Sequence, residues 1–303
     1  SHIWSRRFGS TSFDSGYGVA VDGNGNAVVT GAFNGTVDFG GGGLTSAGGG
    51  DIFVVKLSQP LPPGPAVSDG GVVNHASFAP SPAPVAPGSI AAVFGTNLND
   101  GSTTVATSFG PDGKLGTALG GASVTINNTP APMFYSTPGQ LGVQIPFEAA
   151  GLTTATVQVT VGGQTSVPRT INLDATAPGI FTLNQLGTGI AGVMHENGIT
   201  LVTAQNPARP NEVVTFFATG FGTLTPPLAT GAPATGNQTV ATATVTVDGI
   251  PAEVQFSGAT AGFVGLNHFL VRIPPSTRTA SDIPVVLTIG GKPSNSVTIP
   301  VSP

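Results

Sequence analysis

The stretch PVAPGSIAAVFGTNL, Pro84 to Leu98, is written a second time as PARPNEVVTFFATGF, Pro207 to Phe221. Pro84, Pro87, Ile90, Phe94, Thr96 and Leu98 stand at a constant offset from Pro207, Pro210, Val213, Phe217, Thr219 and Phe221. Three more blocks follow in the same order. SVTINNTPAPMFY (123–135) parallels TVTVDGIPAEVQF (244–256), QLGVQIP (140–146) parallels HFLVRIP (268–274), and VQVTVGGQTS (157–166) parallels VVLTIGGKPS (285–294). Ile171 and Leu173 then match Ile299 and Val301. A tandem duplication constrains the fold strongly, because whatever one copy forms, the other must form as well.

Each copy carries short apolar runs of period two, with turn residues every 8–12 positions. That pattern reads as about seven strands and a β-sandwich. Asp248-Gly249 between apolar runs predicts a type I′ hairpin, and Asn127-Asn128 takes the same place in the first copy. Asn197-Gly198 predicts another hairpin. Phe216 and Phe217 are adjacent on one expected strand, so they must point to opposite faces. Most phenylalanines beside the apolar runs, Phe94, Phe134, Phe147, Phe181, Phe256 and Phe269 among them, are expected in the sandwich cores. The domain boundaries expected are 71–176 for the first sandwich and 177–303 for the second.

Ahead of the duplication the pattern changes. Val19 and Val21, a turn at Asp22-Gly-Asn-Gly-Asn26, and Ala27 to Gly31 read as strand, turn and strand. Thr36–Phe39 and Asp51–Leu57 supply two further short strands. Residues 1–58 therefore read as a four-stranded unit of the kind that forms one propeller blade. The Pro-rich stretch SQPLPPGPAVSDG, Ser58 to Gly70, reads as a semi-rigid linker, taken as 59–70.

Two resemblances follow from these residues. WSRRFG (4–9), Asp14-Ser-Gly-Tyr17, VAVDGNGNAVVTG and GGGDIFVVKL resemble the bacterial β-propeller repeat. The departure is the number of repeats: propellers close with about four to eight blades, and one is present. A lone blade leaves apolar face and strand edges without a partner. The duplicated region resembles immunoglobulin-like domains of IPT/TIG type that form a C-terminal domain of acidobacterial exported proteins. APGIF (177–181), NPARPNEVVTFFATGFG (206–222), VTVDGIPAEVQFSG (245–258), GLNHFLVRIP (265–274) and LTIGGKPSNSVTI (287–299) carry it in the second copy. VVNHASFAP, APGSIAAVFGTNL, TPGQLGVQIPF and VTVGGQTS carry it in the first. The resemblance implies an extracellular sandwich pair, often placed after propeller repeats, and no active site to transfer.

Composition bounds the chemistry. The chain of 303 residues has 45 Gly, 27 Pro and 8% charged residues, against about a quarter charged in typical domains. The formal net charge is −5, and no Lys/Arg cluster extends beyond Arg6-Arg7, which argues against nucleic-acid binding through phosphates. No apolar run reaches the ~18 residues that span a bilayer. Cysteine is absent, so disulfides, thiolate metal sites and cysteine nucleophiles are excluded. With no initiator Met and no signal peptide, the chain reads as exported with its leader removed.

No motif carries catalysis. GTGIAG, Gly187 to Gly192, fits G-x-G-x-x-G, but a hairpin follows it instead of a helix, so no cofactor is expected. Asp22, Asn24 and Asn26 have the D-x-N-x-N spacing of a calcium loop. Phe33 stands where the bidentate Glu should be, so a hairpin turn is the expectation, with no metal. His2, His75, His195 and His268 show no metal-ligand spacing, and structural or surface roles are expected for them. No G-x-S-x-G elbow is present. DSGYG at 14–18 lies inside the blade motif. One Trp and two Tyr supply a sugar cleft poorly. Asn34, Asn127 and Asn237 open formal glycosylation sequons of the kind expected by chance in so Asn- and Thr-rich a chain.

The resulting expectation is an all-β protein: one four-stranded propeller-like blade plus two tandem immunoglobulin-like sandwiches. Its role would be non-enzymatic, extracellular or cell-surface and structural, with no catalytic, metal or cofactor residues. Copies of itself would be its partners, joined as a filament through inter-subunit β-sheet contacts. The alternative is a carbohydrate- or surface-binding accessory region of a larger exported enzyme, with surface polysaccharide as partner.

Overall fold

The computed structural model describes residues 4–23, 25–58 and 63–303. It is all-β except for one turn of 3-10 helix at Phe147–Ala149, and it divides into two units, 1–63 and 64–303.

In the first unit, β1 (Ser15–Val21), β2 (Ala27–Phe33) and β5 (Asp51–Leu57) form a three-stranded antiparallel sheet in the order β1-β2-β5. β3 (Thr36–Asp38) and β4 (Gly43–Thr45) pair only with each other. The four-stranded blade expected from the sequence thus takes another form. The chain turns away at Gly35, where φ is +75°, and the glycine run 40–43 closes Thr36–Asp38 onto the extra strand β4. β5 then takes the place beside β2. Between β1 and β2 the Asp22 amide donates to the Asn26 carbonyl and the Gly25 amide to the Asp22 carbonyl, as a tight turn requires. This unit has a thin core. Phe33, Val37 and Leu57 are its only fully buried apolar side chains among the described residues.

The second unit holds both sandwiches. β6 (Ala66–Asn74) pairs with β7 (Ile90–Thr96), so residues 66–70, read from sequence as linker, are part of the first sandwich; residues 59–62 lie outside the described residues. β7 pairs with Gln140–Gln144 on one sheet, and Ala122–Ile126 pairs with Thr154–Val161 on the other. The duplication is visible strand for strand. Val213–Thr219 pairs with Asn267–Arg272 as β7 does with Gln140–Gln144, and Ala243–Val247 pairs with Ala280–Ile289. Even the isolated parallel bridge Val85↔Leu173 recurs as Ala208↔Val301. The two copies are tandem immunoglobulin-like sandwiches.

Both predicted two-residue turns have the left-handed conformation that a type I′ hairpin requires. Asn127 and Asn128 have φ of 47° and 63°, and Asp248 and Gly249 have 55° and 74°. The copies differ in the strand that follows. In the second it runs unbroken over Ile250–Ala259, pairing first with Ala243–Val247 and then with Asn267–Arg272. In the first it is split into Thr129–Pro130 and Met133–Ser136, with Pro132, which has no N–H for a ladder, at the break.

The cores are filled mainly by Val, Ile, Leu and Ala. Of the phenylalanines expected there, only Phe216, Phe221 and Phe269 are fully buried. Phe216 and Phe269 stack with centroids 4.8 Å apart. Phe94, Phe134, Phe147, Phe181, Phe217 and Phe256 are half-buried. Strand alternation explains the correction for the sheet residues: Phe94 and Phe217 fall on the face opposite the core positions of their strands.

Candidate functional site

The sequence-derived candidates do not converge on one centre. The Asp22 carboxylate accepts from the Asn26 backbone and side-chain amides at 2.9 Å, and Lys56 Nζ lies 2.6 Å from it. It serves the β1–β2 turn; Asn24, the middle residue of the calcium-like spacing, lies outside the described residues, as does His2. No group of three or more His, Asp or Glu side chains arranged to hold a metal occurs among the described residues. The Asp14 carboxylate of DSGYG accepts from the Ser10 amide, which holds it below the ordinary carboxylate range, and also from the Asn34 amide. Asn34 and Asn237 spend their side-chain amides on the carbonyls of Phe13 and Pro226, whereas Asn127 sits exposed at its hairpin.

The three described histidines, His75, His195 and His268, each have local contacts. His195 Nδ1 lies 2.5 Å from Glu212 Oε1, and its Nε2 faces the Asn206 carbonyl at 3.1 Å. Both ring nitrogens therefore meet acceptors, which leaves none to activate a nucleophile. The pair ties the loop containing the Asn197-Gly198 turn to Glu212, just ahead of the strand Val213–Thr219. That turn closes as expected, with Met194 bridged to Leu201. His268 stacks on Phe256 at 4.6 Å and contacts Thr260 Oγ1 at 3.1 Å, and burial pushes its pKa down.

His75 has the most unusual surroundings. Its Nε2 lies 2.8 Å from the Tyr135 hydroxyl, which also accepts from the Gln140 amide at 2.7 Å. Phe78, Tyr135 and Phe181 ring it at 5.4–6.2 Å. Its Nδ1 is buried with no hydrogen-bond partner, and burial pushes the His75 pKa down and the Tyr135 pKa up. Phe181 belongs to the second sandwich, so this polar plug sits in the joint between the two.

The joint is where residues distant in sequence come together. The Asn74 amide donates to the Ala177 carbonyl at 2.8 Å. Buried Thr219 accepts from the Ile90 amide at 2.9 Å and donates to the Gly265 carbonyl at 2.7 Å. Gly231 is gripped on both sides: its amide donates to buried Gln144 at 2.7 Å, and its carbonyl accepts from the Leu115 amide at 2.8 Å. Lys292 pairs with Asp174 at 2.7 Å and holds its carboxyl below the usual range. GTGIAG belongs here too. Gly187, at φ +73°, lies so close to the Ser77 backbone that an added Cβ would stand 2.1 Å from the Ser77 carbonyl oxygen. The glycine serves sandwich packing.

The first unit has no such network of long-range hydrogen bonds among the described residues. Phe8, Phe33, Phe39 and Phe53 line a cleft of about 260 Å³ beside the sheet, with Arg6 and Asp14 among its other residues. Elsewhere the sheet is bare: Tyr17, Val19, Val21, Ile52 and Val54 are between 68% and 83% exposed. β1 and β5 each have an unpaired edge among the described residues. Sequence reading anticipated unpartnered edges but missed the joint.

No protein-family model matches the chain, and no curated protein matches it significantly. Among solved structures, the I9–I11 tandem of titin aligns over 92% of this chain and 93% of its own length, at 9% identity and a TM-score of 0.25. Domains 5–6 of the S-layer protein SbsC align over 78% and 98%, at 13% identity and a TM-score of 0.25. Domains 4–9 of the same protein align over 92% and 35%, at 12% identity and a TM-score of 0.24. The fold assignment stands on the strand pairing and the recurring bridges. No helix among the described residues is long and apolar enough to cross a membrane.

Proposed function

We propose that the chain is a non-enzymatic structural protein of the cell surface that assembles with copies of itself into a filament or layer through β-sheet contacts. The observation that carries this reading is the contrast between its units. The sandwich pair buries two extensive apolar cores, whereas the first unit has three buried apolar side chains among the described residues and leaves others on open strands, a state that soluble proteins normally blunt. The resemblances to propeller repeats and to the acidobacterial exported domain support an extracellular setting. The local contacts that hold His75, His195 and His268, and the carboxylates of Asp14, Asp22, Asp174 and Glu212, support a role without catalysis.

Negative-stain electron microscopy and sedimentation of the full chain test the proposal. Ordered filaments or sheets are the expected result. Dispersed monomers with a stable, protease-resistant first unit would overturn it. A second reading, an accessory region that binds polysaccharide, is favoured by the phenylalanine-lined cleft of the first unit. Polysaccharide pull-down that is lost on Phe39→Ala, without self-assembly, would select that reading.

A further inference from the structure

We infer that assembly proceeds through one specific joint: the free edge of β1 in one copy pairs with the free edge of β5 in the next, so that the three-stranded sheets run on as one. This rests on the assembly reading above and names its surface. β1 and β5 are both seven residues long and both antiparallel to β2, so within one unit they run in the same direction. A copy placed beside the first in the same orientation therefore brings its β5 alongside the first copy's β1 as a parallel pair. The joint is heterologous, using a different edge on each side. It repeats without closing on itself, which is the geometry of a fibre.

Three features make this pairing favourable. β1 (SGYGVAV) has no charge and no proline, the usual devices that protect a natural edge strand. β5 carries two charges, and both are already satisfied within the copy. Lys56 lies 2.6 Å from Asp22, and the Asp51 carboxylate accepts from the Ala47 amide at 2.7 Å. Pairing therefore brings no uncompensated charge into contact. Finally, the register with β2 sets the faces. Ala20 lies across from Val28, which faces Lys56, so Ala20, Ile52 and Val54 share a side of the sheet. In the extended sheet Val19 and Val21 fall in line with Phe53 and Val55 of the next copy, and the bare valines gain apolar neighbours on their open flank.

The chain has no cysteine, so engineered thiols are unambiguous probes. Full-length Ala20→Cys and Val54→Cys chains, both at exposed strand positions or on the exposed face, are mixed and treated with a short bismaleimide crosslinker. The expected product is a dimer joining one chain of each kind, at least tenfold over the dimers that either variant forms alone. Val54→Lys, which puts a cation on the β5 face, is expected to reduce the assembled fraction about tenfold while circular dichroism stays unchanged. Polymers that form without the mixed crosslink would overturn the β1–β5 joint and leave the assembly reading standing. Ala20-to-Ala20 dimers as the main product would overturn it in favour of a closed, two-fold pair. Neither polymer nor crosslink would overturn both proposals.

Discussion

Gly187→Ala is the sharpest probe of the sandwich joint. The residue sits at φ +73°, a left-handed conformation that costs an L-residue roughly 1–2 kcal/mol. The new Cβ would stand 2.1 Å from the Ser77 carbonyl oxygen and 2.6 Å from its carbon. These are backbone atoms, so rotating a side chain cannot relieve the clash. The loop must lift from the first sandwich, which strains the Gly187 amide bond to Thr182 Oγ1 at 3.1 Å and the Asn295 amide bond to the Gly187 carbonyl at 2.8 Å. At about 0.5–1.5 kcal/mol for each bond, the total loss is on the order of 2–5 kcal/mol. Gly198→Ala is the matched control. It has φ +66° and nothing within 4 Å of the new Cβ, so only the backbone term of about 1–2 kcal/mol applies. Urea melts of the full chain followed by circular dichroism compare the two. Gly187→Ala is expected to be the more destabilising and to split the unfolding of the sandwiches into separate steps. Equal effects from the two substitutions would refute the idea that Gly187 is fixed by the Ser77 contact.

Three further outcomes are expected. Phe216→Ala, in the core, should cost about 3–5 kcal/mol in urea melts, and Phe217→Ala, half-buried on the opposite face, clearly less. Thr219→Val keeps the shape but leaves the Ile90 amide and the Gly265 carbonyl without their partner, and should cost about 1–3 kcal/mol by the same assay. The acid limb of stability should carry two contributions. Asp174 has a lowered folded pKa, so its stabilisation is present above the ordinary carboxylate value of about 3.9 and is lost as the pH falls through the lowered one; Lys292→Met should flatten that limb. Half-buried His75 likewise favours the fold above about 6.5 and ceases to do so as the pH falls toward its lowered value. An NMR titration of His75 with a midpoint at or above the ordinary histidine value would contradict its burial.

What could be read from the sequence was local or repeated. Asp248-Gly249 and Asn127-Asn128 announced their hairpins because left-handed backbone selects so few residues. The duplication showed because equivalent strands preserve the same alternation. The joint was not legible, since Gln144 and Gly231, or Ile90 and Thr219, meet across long stretches of chain and share no period. Gly187 was visible only as part of a misleading motif, because the atom that requires a glycine there belongs to Ser77, in the other sandwich. The β3–β4 ribbon was missed because Gly43-Leu-Thr45 is too short to show a period and its glycines read as loop. The overcount of core phenylalanines had a similar cause: apolar character does not say which face of a strand a ring occupies.

The unbroken strand Ile250–Ala259 would set the two copies apart under load. In the second sandwich one continuous strand is stitched into both layers, so sliding one layer past the other must tear that strand's ladder. In the first sandwich the corresponding chain is interrupted at Pro132, and the layers are joined there by a corner instead of a seam. Duplication supplied two modules of one plan, and with the seam interrupted at Pro132 tension along the tandem would be relieved first in the copy nearer the N-terminus.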